Sequence, residues 1–570
     1  MINYRTLEEL SLHDKMIQKT KDDLYTVKIE NQYIHSLYAC GREAKRLIEG
    51  ILPLDREKTL IIIIGSGLGY HIEMLEKAGF NRIIIIEKNP VIYNYFKKIY
   101  VLKEGMYLLS PSDKADKLDS IFSLVELAQL KNIKTVVLRG GYKKELYEDF
   151  EERIDRLLKV KLGDFTTRLK FEEIWFINII KNIKNLKKSF LVSQLFNRAR
   201  DIPIVIVSAG PSLRDSLNSL RKIKDKAIVI AVDTAILPLY EAGIAPDIVY
   251  SLDSQVYNLQ DFCMIEKDYF KKINLVYDIV VNPYLPHFFE SFQNDRINKF
   301  IANTAHMDFD FQGNPFLIKN ELVNWMEVEG SFKIGDIETG GSVSTSAFHF
   351  AYMMGGNPLI IIGQDLAYTY MMSHSSSSSH FYKIMGNENR FLTIQSIFLN
   401  ILFSRRSMLT DALYPGLSNE DKIYTDFVLN NLKGWFEESA KSVMQFQRSV
   451  RLINSTIQGA KIRFFNNMPL EGCFTDIPAI REKEKILFSC LIDFHKIDKM
   501  IMEIKRLSGY ITSLKIDKNI FNNIEMSQWS FVLRYLMKEK LVFERYERLD
   551  VENIERKIYR LTKAIEGIEV

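Results

Sequence analysis

The sequence predicts an α/β protein with a Rossmann-like N-terminal domain, a larger central α/β domain and a helical C-terminal domain. Three observations carry this. Short Ile/Val runs such as "TLIIIIGSG", "NRIIIIEKN", "IVIVSAGPSL", "AIVIAVDT" and "LIIIGQDLA" are apolar throughout, as strands buried on both faces of a parallel sheet are. Helical text separates most of them, which is the alternation of crossover units. After Pro478 there is no proline and only two glycines, Gly509 and Gly567, so the tail reads as packed helices.

In chain order, residues 1–165 hold the first Ile-rich strands and residues 166–475 the second set, opened by the amphipathic "FEEIWFINIIKNIKNLKKSFLVSQLF". Residues 476–570 form the helical tail. A chain of 570 residues exceeds a single core, in keeping with several domains. Hydrophobic residues make up 47% and charged residues 26%, and the net charge is +4. That balance, with no basic patch, argues against nucleic acid as partner. The apolar runs are strand-length, so no integral membrane segment is expected. "MINYRTLEELSLHDK" has no apolar signal core, and Cys40, Cys263, Cys473 and Cys490 stand far apart without a CxxC pair. Both point to a cytoplasmic protein with reduced, mostly buried thiols.

The stretch "IVIVSAGPSLRDSL" (204–217) runs a buried strand straight into a helix through Ser208, Ala209, Gly210 and Pro211. Ligands of doubly wound sheets collect where strands end and helices begin. Gly210 allows close approach to the backbone, and Pro211 suits a first helical position. Ser212 and Leu213 are then expected to present free amides to an anion, aided by the helix dipole. The alternative is a tight turn with no ligand. Asp233 and Thr234 end the next strand and Asp253 the one after; each acid suits a ribose hydroxyl or a reacting hydroxyl, the alternative being a helix N-cap.

A second small-residue turn, "ETGGSVSTSAFHFA" (338–351), offers Gly340, Gly341, Ser342, Val343 and Ser344 either to an anion or only to capping. "LIIIGQDLAYT" places Gln364 and Asp365 at another strand end, and "SHSSSSSH" (373–380) follows, with His374 and His380 as surface residues or suppliers of a general base. No Cys or acid lies at zinc-ligand spacing there. The N-terminal "IIIIGSGLGYH" has Gly65, Gly67 and Gly69 before a helix and Glu87 at the next strand end, a candidate nucleoside site. Tyr70 stands where a dinucleotide fingerprint has its third glycine, so the pattern is closer to an S-adenosylmethionine site or to a purely structural turn.

Taken in order, "WFINIIKNIKNL", "IVIVSAGPSL", "AIVIAVDTAILPLYEAGIAPDIVYSLD", "TGGSVSTSAFHFAYMMGGNPLIIIGQDLAYT" and "INSTIQGAKI" resemble the motility-associated factor glycosyltransferases, a family grouped with 6-hydroxymethylpterin pyrophosphokinase-like proteins. The resemblance spans roughly residues 170–470. It implies a central domain similar to bacterial sialyltransferases (GT-A-like). It also implies transfer of a nonulosonic acid of the pseudaminic or legionaminic type from a CMP-activated donor to Ser or Thr of flagellin. Flagellin and the nucleotide-sugar donor are then the partners, in bacterial flagellar motility.

The residues accommodate that donor: the "SAGPSL" turn is expected to hold the cytidine phosphate, and residues 341–344 the sugar carboxylate or the nucleoside. His374 is the expected base, with Asp233 or Asp365 as alternatives. Where the family has a glycine-containing loop after "GQDLAY", this chain has "TYMMSHSSSSSH". A monophosphate leaving group does not demand a divalent clamp, so no obligatory metal or cofactor is expected and magnesium is dispensable. The competing expectations are a nucleotide-dependent pyrophosphokinase or phosphotransferase, although the chain lacks a P-loop for a triphosphate, and a non-enzymatic flagellin-binding chaperone docking through the C-terminal helices.

Overall fold

The computed structural model describes residues 1–115, 117–123, 130, 132–138, 144–290, 298–309, 315–405, 407–413, 422–446, 449–475, 477–487, 494–546 and 548–568. Cys490 lies outside them. The chain separates into two compact units, residues 1–170 with 308–316, and residues 171–307 with 317–570. Among the described residues no helix is long and apolar enough to cross a membrane.

The first unit opens with a small antiparallel sheet, β1 (Ile17–Lys19), β2 (Tyr25–Ile29) and β3 (Gln32–Tyr33). It is followed by a parallel sheet of β4 (Thr59–Ile64), β5 (Ile83–Ile86), β6 (Met106–Leu109) and β7 (Asn132–Val137), ordered β6-β5-β4-β7. Every residue of β4 and β5 is buried, the outcome expected of unbroken isoleucine runs covered on both faces. Winding reverses between β4 and β7, so the glycine turn after β4 sits at a topological switch point.

The second unit is built on one eleven-stranded sheet. Its strands are β8 (Phe190–Leu191), β9 (Ile204–Val207), β10 (Ile228–Val232), β11 (Ile248–Ser251), β12 (Asn274–Asp278), β13 (Lys299–Phe309), β14 (Pro315–Lys319), β15 (Asp336–Glu338) and β16 (Leu359–Ile362). A separate antiparallel pair, β17 (Met408–Asp411) and β18 (Lys422–Thr425), precedes the last two strands, β19 (Leu452–Asn454) and β20 (Asn466–Asn467). The order β14-β13-β12-β11-β10-β9-β16-β19-β20 shows the chain stepping from β9 to β13 in one direction, then returning to β16 on the other side of β9. The switch point of this sheet is therefore the β9/β16 boundary. β9, β10 and β16 are buried along their full length, in parallel register Ile228↔Ile204 and Leu359↔Ile204.

The helices after residue 476 do not stand apart. Ile497, Met500, Ile501, Ile504 and Leu507 share one hydrophobic cluster with Phe176, Ile179, Ile180, Ile183 and Leu186 and with β12. The expected boundary at 475/476 is therefore crossed by a continuous core. An amphipathic helix has to cover its apolar face, and here the helical segment ending at Lys188 and the sheet provide the cover.

Candidate functional site

The β9/β16 boundary brings the two motif turns together. Gly210 N–H donates to Gly363 O at 2.8 Å, and Ser208 Oγ donates to Gln364 Oε1 at 2.5 Å. The buried carboxylate of Asp365 accepts the Ser212 amide at 3.0 Å and the Ser212 hydroxyl at 2.7 Å. A Cβ on Gly210 would collide with Asp365 and with the Gly363 carbonyl, so this glycine is required by the close passage of two chain segments.

These contacts correct the expected chemistry of the turn. Ser212 N–H is spent on Asp365, and Leu213 N–H donates to Gly210 O at 3.0 Å, so neither amide is free. The helix spans Leu213–Ile223 with Ser212 as its N-cap, which leaves Pro211 ahead of the cap instead of at the first helical position. Ala209 contributes its carbonyl, which accepts Ser375 N–H at 2.8 Å. That bond lays the Ser/His segment directly on the turn. Arg214, the second helical residue, stacks its guanidinium 4.1 Å from the Tyr370 ring, and sequence reasoning did not single it out.

His374 is half-buried and lies one residue from that contact; its Nδ1 is 3.0 Å from Ser373 Oγ. Its ring stacks on His380 at 4.6 Å and 19°. Burial pushes the His374 imidazole down to about 3, with His380 and Arg405 adding to the effect. Both histidines are therefore neutral near pH 7, since burial also lowers His380.

Beside this, the ends of β10 and β11 assemble a buried acidic group. Asp233 accepts Ser251 Oγ at 2.9 Å, Asn258 Nδ2 at 3.1 Å and Thr234 N–H at 2.8 Å. Burial raises its carboxyl to about 6. Asp253 is half-buried and closes a local turn by accepting Gln255 N–H at 2.9 Å. Asp261 was not anticipated. Burial and the Asp233 charge raise it to about 7, and it accepts the Ser379 hydroxyl, the neighbour of His380. Asp233 is thus neither a simple cap nor free: it sits at the centre of a hydrogen-bonded cluster with Ser251, Asn258 and Thr234, and its charge acts on Asp261, which is hydrogen-bonded to the histidine segment.

The second small-residue turn is a cap. Ser342 and Thr345 form a capping box at the head of the helix Val343–Met353, Gly340 N–H donates to Thr345 Oγ1 at 2.9 Å, and Gly341 N–H to Thr339 Oγ1 at 3.1 Å. Ser344 N–H is turned to Ser342 Oγ at 3.4 Å. Gly341, at φ +92°, has open space where a side chain would stand, whereas Gly340 is backed by Trp435. The carbonyl of Met353 at the other end of this helix accepts from Asn197, ahead of β9. An 11-residue helix is ~16 Å long, so its head lies at the carboxyl edge of the sheet.

Backbone strain gathers immediately after Asp365. Leu366, Tyr370 and Met371 have φ of 51°, 53° and 65°, values that cost a non-glycine residue ~1–2 kcal/mol each. No glycine in the sequence marks these positions.

In the first unit the expected nucleoside site is filled by the protein itself. Glu87 Oε2 accepts Ser66 N–H at 2.8 Å and Ser66 Oγ at 2.9 Å, while Oε1 accepts Asn89 N–H and Tyr147 OH, each at 2.9 Å. Four bonds saturate a carboxylate, leaving no lone pair for a ribose. Gly65, Gly67 and Gly69 have positive φ as a glycine turn requires, but Leu68 N–H is taken by His35 Nε2 at 2.9 Å, and His35 sits where a Gly67 side chain would be. Tyr70 is core: its hydroxyl donates to Tyr25 O and accepts from Tyr25 N–H on β2.

Of the cysteines, Cys40 and Cys473 are buried and Cys263 is exposed, all as free thiols.

Comparison with known proteins follows the same division. Residues 177–371, which include β9 through β16 and both turns, match the family described as 6-hydroxymethylpterin diphosphokinase MptE-like. An uncharacterised protein of Treponema pallidum (strain Nichols) is 27% identical over 116 residues, 20% of this chain and 54% of that protein. The match thus spans about half the length of that relative. The solved structure of the MAf glycosyltransferase from Magnetospirillum magneticum AMB-1 superposes with a TM-score of 0.54 at 13% identity, over 98% of this chain and 87% of that one. The resemblance seen in the sequence motifs and these two likenesses agree: residues 177–371 match the MptE-like family, in a chain whose fold is similar to that of a motility-associated factor glycosyltransferase.

Proposed function

We propose that the protein is a glycosyltransferase that moves a nonulosonic acid of the pseudaminic or legionaminic type from a CMP-activated donor to Ser or Thr hydroxyls of flagellin. The observation that carries this reading is the convergence of four strand ends, those of β9, β10, β11 and β16, beneath one histidine-bearing segment. The fold likeness to a MAf glycosyltransferase over almost the whole chain supports it.

In this reading the acceptor hydroxyl oxygen forms the new bond to the anomeric carbon as the sugar–phosphate bond breaks. CMP departs with the electron pair, and the acceptor proton passes to His374. The imidazole is neutral, as a base must be, but held at about 3 it is a weak one, so Asp233 stands as the alternative proton acceptor. The Asp233 and Asp261 carboxyls then act on the sugar hydroxyls or on the His segment. Asp365 ranks behind the other bases, because each of its oxygens already accepts a hydrogen bond from Ser212. With the turn amides spent, charge on the departing phosphate is met by the dipole of the helix Leu213–Ile223 and by Arg214.

The match to an MptE-like diphosphokinase model favours a second reading, a nucleotide-dependent pyrophosphokinase. Equilibrium binding of CMP, ATP and S-adenosylmethionine, each with and without magnesium, separates the two. Metal-independent CMP binding supports sugar transfer; ATP binding that requires magnesium supports the kinase and overturns the transferase.

A further inference from the structure

The end of β19, in the stretch "INSTIQG", is tied into the switch point by residues with no role assigned above. Asn454 Oδ1 accepts Thr456 N–H at 3.0 Å, Thr456 Oγ1 accepts Gln364 N–H at 3.1 Å, and Gln364 Oε1 accepts the Ser208 hydroxyl at 2.5 Å. The chain of bonds crosses three adjacent strand ends, β19, β16 and β9. All four residues are buried. Gly459, at φ +130°, lets the following backbone press on Asp365, and Ala460 N–H donates to Asp365 O at 2.7 Å, so the segment is held at both ends.

This array is short of acceptors. Asn454 Nδ2 is buried with no partner among the described residues. The Gln364 side chain has one hydrogen bond among the described residues, the one from Ser208, which leaves its Nε2 undirected within the protein. Buried amide groups are ordinarily paired with protein or water, and spare donors at a switch point stand where a ligand can bring acceptor oxygens.

We propose that Thr456 and Asn454 are positioning residues that hold the Gln364 carboxamide as a hydrogen-bond donor to an acceptor oxygen of the nucleotide-sugar donor. The role rests on the transferase reading. Base carbonyl, phosphate and sugar carboxylate all supply such an oxygen, and the ligands of the test distinguish them. Thr456 acts from behind: with its hydroxyl gone, the Gln364 backbone loses an anchor and its side chain loses its setting.

The test is titration calorimetry with CMP, cytidine and the free acid sugar on Thr456→Val, Thr456→Ser, Gln364→Met and the Thr456→Val/Gln364→Met double variant. Thr456→Val is expected to weaken one ligand class by ~3–10-fold, the range for one hydrogen bond. Thr456→Ser is expected to bind within ~2-fold of wild type, because it keeps the acceptor. Loss with CMP and cytidine alike assigns the base, with CMP alone the phosphate, and with the acid sugar alone the carboxylate. The double variant is expected to be no weaker than Gln364→Met, since Thr456 acts through Gln364. Unchanged affinity in Thr456→Val, failed rescue by serine, or additive losses overturn the role. Should Thr456→Val not fold, Asn454→Ser, which shortens the acceptor under Thr456, is read by the same criteria. Wild-type protein that binds none of the three ligands overturns the transferase reading and this role together, whereas binding that the variants leave untouched overturns the role alone.

Discussion

The carboxylate of Asp365 accepts both the backbone amide and the hydroxyl of Ser212, at 3.0 and 2.7 Å, and so bolts the turn after β9 to the turn after β16. Two motifs separated by about 150 residues are thereby one object, and the substitutions most informative about the site are those that loosen this bolt.

Asp365→Ala leaves two buried donors on Ser212 without an acceptor. A loss of ~2–4 kcal/mol in unfolding free energy is expected, read from urea or thermal melts. Asp365→Asn keeps one acceptor and is expected to lose less. A large fall in turnover by Asp365→Asn with unchanged stability is the result that would restore this residue as the base.

Gly210→Val introduces a Cβ into the space of Asp365 and the Gly363 carbonyl. The close approach turns what the motif alone presents as a ligand-access glycine into a packing requirement as well. Overpacking of this kind costs ~1–3 kcal/mol, so both the melting temperature and CMP affinity are expected to fall. Loss of CMP binding with no change in melting temperature would show that the collision is relieved at no cost.

His374→Ala is expected to abolish transfer while donor affinity stays within ~3-fold of wild type, as for a group whose work lies in proton transfer. His380→Ala removes only the stacked neighbour, and a smaller loss is expected. Normal turnover in His374→Ala would move the base to the Asp233–Asp261 pair. Transfer is also expected to persist in EDTA, because a monophosphate leaves without a divalent clamp; loss in EDTA with recovery in magnesium would refute this.

Stability should depend on pH through the buried acids of the second unit. Burial raises Asp233, Asp278 and Asp365 from 3.8 to about 6 and Asp261 to about 7. The folded state therefore holds these protons more tightly than the unfolded chain. Their contribution is complete below about pH 4 and is lost as pH rises through 6 to 7. Asp233→Asn removes one such group, so its denaturation midpoint is expected to fall less than wild type between pH 4.5 and 7.5. An identical slope in both proteins would contradict the assignment.

S-Adenosylmethionine is expected not to bind the first unit, because Glu87 is saturated and His35 occupies the glycine turn. Tyr147→Phe frees one lone pair of Glu87 Oε1, which still accepts Asn89 N–H. Tight binding by the unaltered protein would show that these side chains yield to a ligand.

Much of this was written in the linear pattern. The isoleucine runs 59–64 and 83–86 read as doubly covered strands and are, because apolarity on both faces has one stable solution in water. Ser208, Asp233, Asp253 and Gln364 read as strand ends of an α/β sheet, and the β9/β16 reversal, not legible in the sequence, brings the first and last together. The glycines at 65, 67, 69, 210 and 341 announced tight backbone without saying what pressed upon it.

What could not be read was pairing. A motif names the polar groups in a turn, but whether one is free depends on partners brought from elsewhere: Asp365 accepting from Ser212, His35 accepting from Leu68, Tyr147 donating to Glu87. Leu366, Tyr370 and Met371 carry left-handed backbone that no glycine foretold, since the surrounding packing imposes it. Asp261 sits in unremarkable text, and Asn454 and Thr456 in a motif that does not state their role; they gain meaning only beside Ser379 and Gln364. The sequence by itself determined the strands, their order of appearance and the polar residues at their ends, because periodicity and turn chemistry are local. Only the tertiary structure decided which of those polar groups are spent on one another and which remain for a ligand, because a hydrogen bond between residues 212 and 365 exists only once the sheet has brought their strands side by side.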